Sequence, residues 1–153
     1  MKVIKFRDWE FTVNLESTKS TYEQTKEGGC DSCICNDCKN FANSRGLAYP
    51  EEIKQLFKDL GIDYKKEVET YTVQKTEVGL YKYYGWFHFK GSFTGKNCSI
   101  PLPNGGFTLD LTPISENFSI GFSIENSLTF FESKKDLVQI EFETYLPWIF
   151  EKL

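Results

Sequence analysis

Hydrophobic and polar residues alternate along several stretches of the chain, and this alternation predicts β-strands. In the first stretch one face is apolar, formed by Trp9, Phe11, Val13 and Leu15. A period of two residues is that of a strand with one buried face. The same period recurs in residues 107–111, 118–124 and 138–142, while residues 68–75 and 80–89 are rich in threonine, tyrosine and phenylalanine. The sequence therefore predicts six to eight strands joined by short turns.

One stretch has the period of a helix instead. Its apolar residues recur at i, i+3, i+4 and i+7, as Ile53, Leu56, Phe57 and Leu60. Pro50 suits the first turn, where its missing N–H needs no partner, and Gly61 supplies a left-handed stop. A second helix is predicted up to about Ser44, with Asn36 or Asp37 as its cap.

These elements together predict the fold class. Many short strands with few helices need packed faces, so we expect an α+β fold, a mostly antiparallel β-sandwich or partial barrel. Two short helices lie near the N-terminal third, and the polar residues 17–29 are predicted to be a connection. A length of 153 residues fits a single globular domain over residues 1–153.

Composition narrows the class of protein. Hydrophobic residues make up 40% of the chain and aromatic residues 16%, which is enough for a packed core. A net charge of −4 argues against nucleic acid as a partner. No apolar run approaches the roughly 18 residues of a bilayer span, so no membrane partner is expected. Residues 1–7 lack the apolar stretch of a signal peptide, which predicts a cytoplasmic location.

Four of the five cysteines fall within nine residues, and this cluster is the strongest chemical signal. They are Cys30, Cys33, Cys35 and Cys38. Four thiolates are a preferred ligand set for a structural zinc ion. Because only Ile34 separates the two C-x2-C pairs, three cysteines with an outside ligand are an easier geometry. That ligand is either His88, the only histidine, or Cys98.

Three other interpretations of the cluster stay open. An iron–sulfur cluster ranks below zinc because the spacing differs from the bacterial ferredoxin run. A thiol redox protein or enzyme would use Cys35 and Cys38, a C-x-x-C pair at a helix start, where the helix dipole lowers a thiol pKa. The third interpretation is an ordered loop of unliganded thiols.

Two further groups are candidates for chemistry. His88 lies in an aromatic strand, and we favour an exposed or hydrogen-bonded strand residue over a proton-transfer group, because no nucleophile pattern accompanies it. Glu141 and Glu143 share one strand face, and a solvated face with Lys134 and Lys135 nearby explains them better than acid–base chemistry does.

Several local strings occur together in a way that resembles a known family. They are Cys38-Lys39-Asn40-Phe41, Leu60-Gly61-Ile62-Asp63, Gly85-Trp86-Phe87-His88-Phe89-Lys90-Gly91 and Glu141-Phe142-x-x-x-Leu146-Pro147-Trp148. From about Cys33 onward the chain resembles a family of small bacterial proteins of unknown function. This resemblance implies a bacterial, cytoplasmic protein and no particular activity. In that family the later cysteines recur more regularly than a position like Cys30, which implies a site of three thiols or an unmetallated loop.

The sequence thus predicts a cytoplasmic bacterial binding or interaction protein with a structural zinc site in the Cys30–Cys38 loop. The alternative is a thiol redox protein or enzyme that uses Cys35 and Cys38. A homodimer or another protein is left open as the partner, and no catalytic residue is assigned.

Overall fold

A large antiparallel sheet organises the molecule. The computed structural model describes residues 1–76, 79–126 and 128–150, with residues 73 and 74 described by their backbone alone. The strands are β1 (Lys2–Phe6), β2 (Trp9–Val13), β3 (Glu69–Lys75), β4 (Leu80–Thr94), β5 (Ser99–Pro101), β6 (Phe107–Leu109), β7 (Thr112–Ser115), β8 (Phe118–Ser123) and β9 (Leu137–Pro147). The helices are α1 (Leu15–Gln24), α2 (Gly29–Ser32), α3 (Asn36–Ala48) and α4 (Glu51–Leu60).

Seven of the described strands form one sheet in the order β1-β2-β4-β9-β8-β7, with β3 also paired to β4. Strands β5 and β6 form a separate hairpin, and the pairings are antiparallel. Over the described residues this sheet stays open and does not close into a barrel. The predicted α+β class with a mostly antiparallel sheet is therefore confirmed.

Strand β4 joins the parts of this sheet. Its residues Leu80–Lys90 pair with β9, and the stretch Tyr81–Trp86 pairs with β3 on its other edge. Beyond Lys90 the strand pairs with β2, over Gly91–Thr94. Gly91 has a φ of +153°, and a Cβ there would overlap the carbonyl oxygen of Thr12. Only glycine fits this position, because the two strands approach too closely for a side chain.

Helix α4 covers the apolar face of the sheet as its periodicity predicted. Its four apolar residues are buried, and the ring of Phe57 lies 4.7 Å from that of Phe87 on β4. Burying side chains of this size contributes roughly 1.5–3 kcal/mol each. Helix α3 adds Phe41, whose ring lies 6.2 Å from that of Phe142 on β9. The core is thus an aromatic layer between the sheet and these two helices.

The predicted connection over residues 17–29 is wrong, because Leu15–Gln24 forms helix α1. The side chain of Asn14 caps this helix by accepting a hydrogen bond from the Ser17 amide at 3.0 Å. Thr18 and Tyr22, one turn apart, are its buried residues, and the Tyr22 hydroxyl donates to the His88 carbonyl at 2.8 Å. Two buried positions in ten residues are too few to give an apolar stripe in the sequence.

Candidate metal centre

Three thiols converge in the segment between α2 and α3. The Sγ atoms of Cys33, Cys35 and Cys38 all lie within 4.8 Å of one another, and those of Cys33 and Cys35 are 3.2 Å apart. Four sulfurs about 2.3 Å from a tetrahedral zinc ion are separated by about 3.8 Å. All five cysteines are free thiols. The three cysteines can therefore hold a metal ion with small adjustments.

The start of α3 brings these thiols together. Cys35, rather than Asn36 or Asp37, is its N-cap, with a thiol that accepts from the Cys38 amide at 3.4 Å. The backbone is extended at Cys35 and helical from Asn36 onward, and this change of conformation turns the chain between Cys33 and Cys38. Ile34, between the two outer thiols, is 88% exposed. The amide groups at a helix start carry partial positive charge, which favours thiolates.

Cys30 lies beside this group on the buried side. Its side chain is 2% exposed, and its thiol donates to the Thr70 hydroxyl on β3 at 3.1 Å. Hydrogen bonding with Cys30 is one of the causes that raise the pKa of the Cys38 thiol. Cys30 is thus the nearest of the other cysteines to complete a set of four ligands, although its sulfur lies outside the 4.8 Å group.

The thiols of the group differ in their protonation. Hydrogen bonds from Cys38 and from the backbone at Cys35 lower the pKa of Cys33. Burial raises the pKa of Cys38, and the hydrogen bond with Cys33 raises it further. Burial also raises the pKa of Cys30, to about 11, against an opposing hydrogen bond with Thr70. Cys33, at the outer edge of the group, therefore ionises more easily than the buried thiols of Cys38 and Cys30.

A charged network holds the base of the cluster. The carboxylate of Glu67, which is fully buried, accepts hydrogen bonds from the Cys30 amide and from Nε and Nη2 of Arg45, all at 2.9 Å. Arg45 also donates to Asp31 at 2.9 Å. Burial lowers the pKa of Arg45, but its hydrogen bonds to Glu67 and Asp31 outweigh this and raise it. Burial is the larger influence on Glu67. It raises the pKa of this carboxyl although the hydrogen bonds from Arg45 lower it.

Two glycines let this network approach the backbone of α2. A Cβ on Gly28 would lie 2.6 Å from Oε2 of Glu67, and a Cβ on Gly29 would lie 2.5 Å from the Val68 carbonyl oxygen. The Gly29 amide donates to the Glu67 carbonyl at 2.8 Å. The position of Cys30 is therefore set by contacts of the protein itself. No pattern in the sequence pointed to Arg45 or Glu67, since each occurs among other charged or polar residues.

The other proposed ligands lie elsewhere. Among the described residues, neither His88 nor Cys98 belongs to the group of three thiols. His88 is fully buried, with Nε2 at 2.9 Å from Oε1 of Gln139, and burial lowers its pKa to about 4. Of the two predicted alternatives for His88, an exposed or a hydrogen-bonded strand residue, the second is confirmed and the first is wrong. Cys98 is 1% exposed, and its backbone amide donates to the Phe122 carbonyl at 2.9 Å.

The two glutamates on β9 differ from each other. Glu141 is 8% exposed and accepts a hydrogen bond from Nε2 of Gln139, so the prediction of a solvated position is wrong here. Burial raises the pKa of Glu141. Glu143 pairs with Lys82 at 3.6 Å rather than with the lysines at 134 and 135. The reason is the register, which sets Lys82 of β4 close to this glutamate.

Comparisons with known proteins add no assignment. No family model matches the chain, no curated protein matches its sequence, and no solved structure matches its fold. None of the helices in the described part of the chain combines the length and apolarity needed to cross a bilayer. What defines the protein is therefore its α+β fold and a cluster of three thiols able to bind a metal.

Proposed function

We propose that this protein is a cytoplasmic bacterial binding or interaction protein in which the Cys30–Cys38 segment holds one structural zinc ion. The observation that supports the proposal is the convergence of Cys33, Cys35 and Cys38 within 4.8 Å. Three thiolates fixed by a turn and a helix start suit a soft or borderline metal, and zinc is the usual ion for closed thiolate sites. Cys30 is the fourth ligand in this proposal.

A structural role agrees with where the ligands lie. Cys30 belongs to α2, Cys38 to α3, and the Cys30 thiol contacts Thr70 on β3. An ion bound by these side chains ties both helices to the edge of the sheet. Because such a site forms only in the folded chain, its binding free energy stabilises the fold. The two buried thiols leave little room for a substrate at the metal.

The free thiols and the net charge bear on the location and the partners of the protein. Five free thiols suit a reducing compartment, and the resemblance to a bacterial family supports a bacterial origin. The acidic net charge of −4 disfavours nucleic acid. A protein partner or a second copy of the chain is the remaining kind of partner that we propose.

The test is a metal count combined with thermal unfolding. Protein purified under reducing conditions should contain about one zinc per chain by elemental mass spectrometry, and a chelator should lower its melting temperature. Cys33→Ser and Cys38→Ser should lose the ion and melt as low as the chelated parent. Ser32→Ala changes an exposed residue at the end of α2, beside the cluster, and should behave as the parent. Parent-like melting of both serine variants, with and without chelator, refutes the structural zinc.

A further variant separates four ligands from three. If Cys30 binds the ion, Cys30→Ser should weaken zinc affinity by at least tenfold, measured by competition with a chromophoric chelator. If the site uses three thiols, the variant should keep parental zinc affinity, and the serine hydroxyl can donate to Thr70 in place of the thiol. The second result would leave the zinc and remove Cys30 from its ligands.

Thiol redox chemistry at Cys35 and Cys38 is the second candidate. The lowered pKa of Cys33 favours thiol reactivity in this cluster and adds Cys33 as an attacking group. A redox protein should form a disulfide reversibly in a glutathione series, detected by mass spectrometry. It should also keep its melting temperature without zinc, which is the opposite of the result expected for a structural site.

A further inference from the structure

A groove lies between α1, α4 and the loop that follows α4, and it contains none of the cysteines. Its volume is about 650 Å³, within the range of roughly 300–1,000 Å³ that is typical of small-molecule sites. The apolar part of its lining comes from Leu15, Tyr22, Ile62 and Tyr64. A groove of this size and lining suits the apolar body of a small organic molecule.

Lysines outnumber acidic residues in the groove, although the chain as a whole is acidic. Four lysines line it, at positions 19, 54, 58 and 66, against the three acids Glu23, Glu51 and Asp63. The chain as a whole has a net charge of −4. The local excess of positive charge is therefore a property of this site, and it favours an anion.

Two of the four lysines are held by the protein. Nζ of Lys54 donates to the Gly46 carbonyl at 3.0 Å and lies 3.4 Å from Glu51. Nζ of Lys66 donates to the Tyr22 carbonyl at 2.7 Å. Because these two ammonium groups already donate hydrogen bonds to the protein, they are less available to bind a ligand.

The other two lysines are free to meet a ligand. Lys19 on α1 and Lys58 on α4 are exposed, and the ammonium group of neither forms a hydrogen bond or ion pair with any residue that the structure describes. They line the same groove from opposite helices. Nearby, the ring of Tyr64 has the Nζ atoms of Lys54 and Lys65 at 5.3 and 6.0 Å. The groove thus combines two unpaired cations with an aromatic and aliphatic surface.

We propose that this groove binds a small organic anion, in which a carboxylate, sulfonate or phosphate group is attached to a flat apolar body. Lys19 and Lys58 bind the anionic group, while Tyr64, Ile62 and Leu15 contact the body. The proposal is independent of the metal at the cysteine cluster, and its test uses other residues.

Two fluorescent probes that differ by one sulfonate test the proposal. They are 8-anilinonaphthalene-1-sulfonate and the neutral N-phenyl-1-naphthylamine, titrated against the full chain. The sulfonate should bind saturably with one site per chain and about tenfold more tightly than the neutral probe at low salt. Added salt should reduce this difference, because it screens the lysines.

A pair of variants locates the site. Lys19→Gln combined with Lys58→Gln should weaken binding of the sulfonate roughly fivefold to tenfold and leave the neutral probe unchanged. Lys2→Gln combined with Lys26→Gln removes the same charge from exposed positions outside the groove and should have no such effect. Far-UV circular dichroism and melting temperatures verify that both variants stay folded.

Three results would overturn the proposal. The first is no saturable binding of the sulfonate to the parent. The second is equal affinity for the neutral probe, which would make the groove merely apolar. The third is equal weakening by the groove pair and the control pair, since the effect would then come from net charge alone.

Discussion

Replacing Glu67 with glutamine removes one negative charge from the buried base of the cysteine cluster and should destabilise the fold strongly. The parent carboxylate is fully buried and accepts three hydrogen bonds, two from Arg45 and one from the Cys30 amide. A glutamine keeps one acceptor oxygen but turns an NH2 group toward donors. The variant therefore leaves at least one buried donor without an acceptor.

The size of the effect follows from the burial of the pair. Breaking a buried ion pair by removing one partner costs about 3–5 kcal/mol. Arg45 is 11% exposed and keeps Asp31 at 2.9 Å, which softens the loss. We therefore expect a decrease of about 3 kcal/mol in the free energy of unfolding, at the lower end of that range.

Urea unfolding followed by circular dichroism measures this change, with the zinc concentration held constant so that ligand linkage does not vary. At a slope of roughly 2 kcal/mol per molar urea, the midpoint should fall by about 1.5 M. Asp31→Asn is the matched control, because this partner of Arg45 is 30% exposed and its loss should cost less than about 1 kcal/mol. A Glu67→Gln variant within 0.5 kcal/mol of the parent, which is no more than an ordinary surface change, would refute the reasoning.

Three other substitutions test the fold. Since the folded pKa of His88 is about 4 against 6.5 unfolded, the parent should lose roughly 2–3 kcal/mol of stability as pH falls from 6.5 to 4.5. His88→Gln should lack this part of the pH dependence in urea titrations, and identical slopes would contradict it. Asn40→Ala should cost about 2–4 kcal/mol in the same assay, because this fully buried amide donates to Pro147 at 3.1 Å and makes further hydrogen bonds; a loss below 1 kcal/mol would count against it. Gly85→Ala would place a Cβ 2.6 Å from the Phe142 ring and 2.7 Å from the Glu69 carbonyl oxygen, and should lower the melting temperature by several degrees. An unchanged value would contradict this close packing.

Periodicity predicted those elements in which every position of the buried face is apolar. In α4 the four predicted residues are buried, and in β9 the alternation of Val138, Ile140 and Phe142 lies within the observed strand. Helix α1 lacked this signal because only Thr18 and Tyr22 are buried. The cap at Asn14 was a local sign of that helix.

In the candidate site, too, some residues could be predicted from the sequence and others could not. The spacing of the cysteines pointed to the three thiols that converge, because they are close in sequence and one turn brings them together. Glu67 binds the Cys30 amide from a distant part of the chain, so only the tertiary fold pairs them. The burial of Glu141 likewise depends on what covers the sheet, which strand alternation does not report.

The pairing of β4 has a consequence for folding. Strand β2 of the β1–β2 hairpin pairs with Gly91–Thr94, which are synthesised long after it. A two-stranded hairpin alone is marginally stable in water, and pairings between segments distant in sequence form slowly. During synthesis β1 and β2 should therefore have no stable partner until the end of β4 has emerged. A pulse of hydrogen exchange during refolding should find the amides of β2 among the last to be protected.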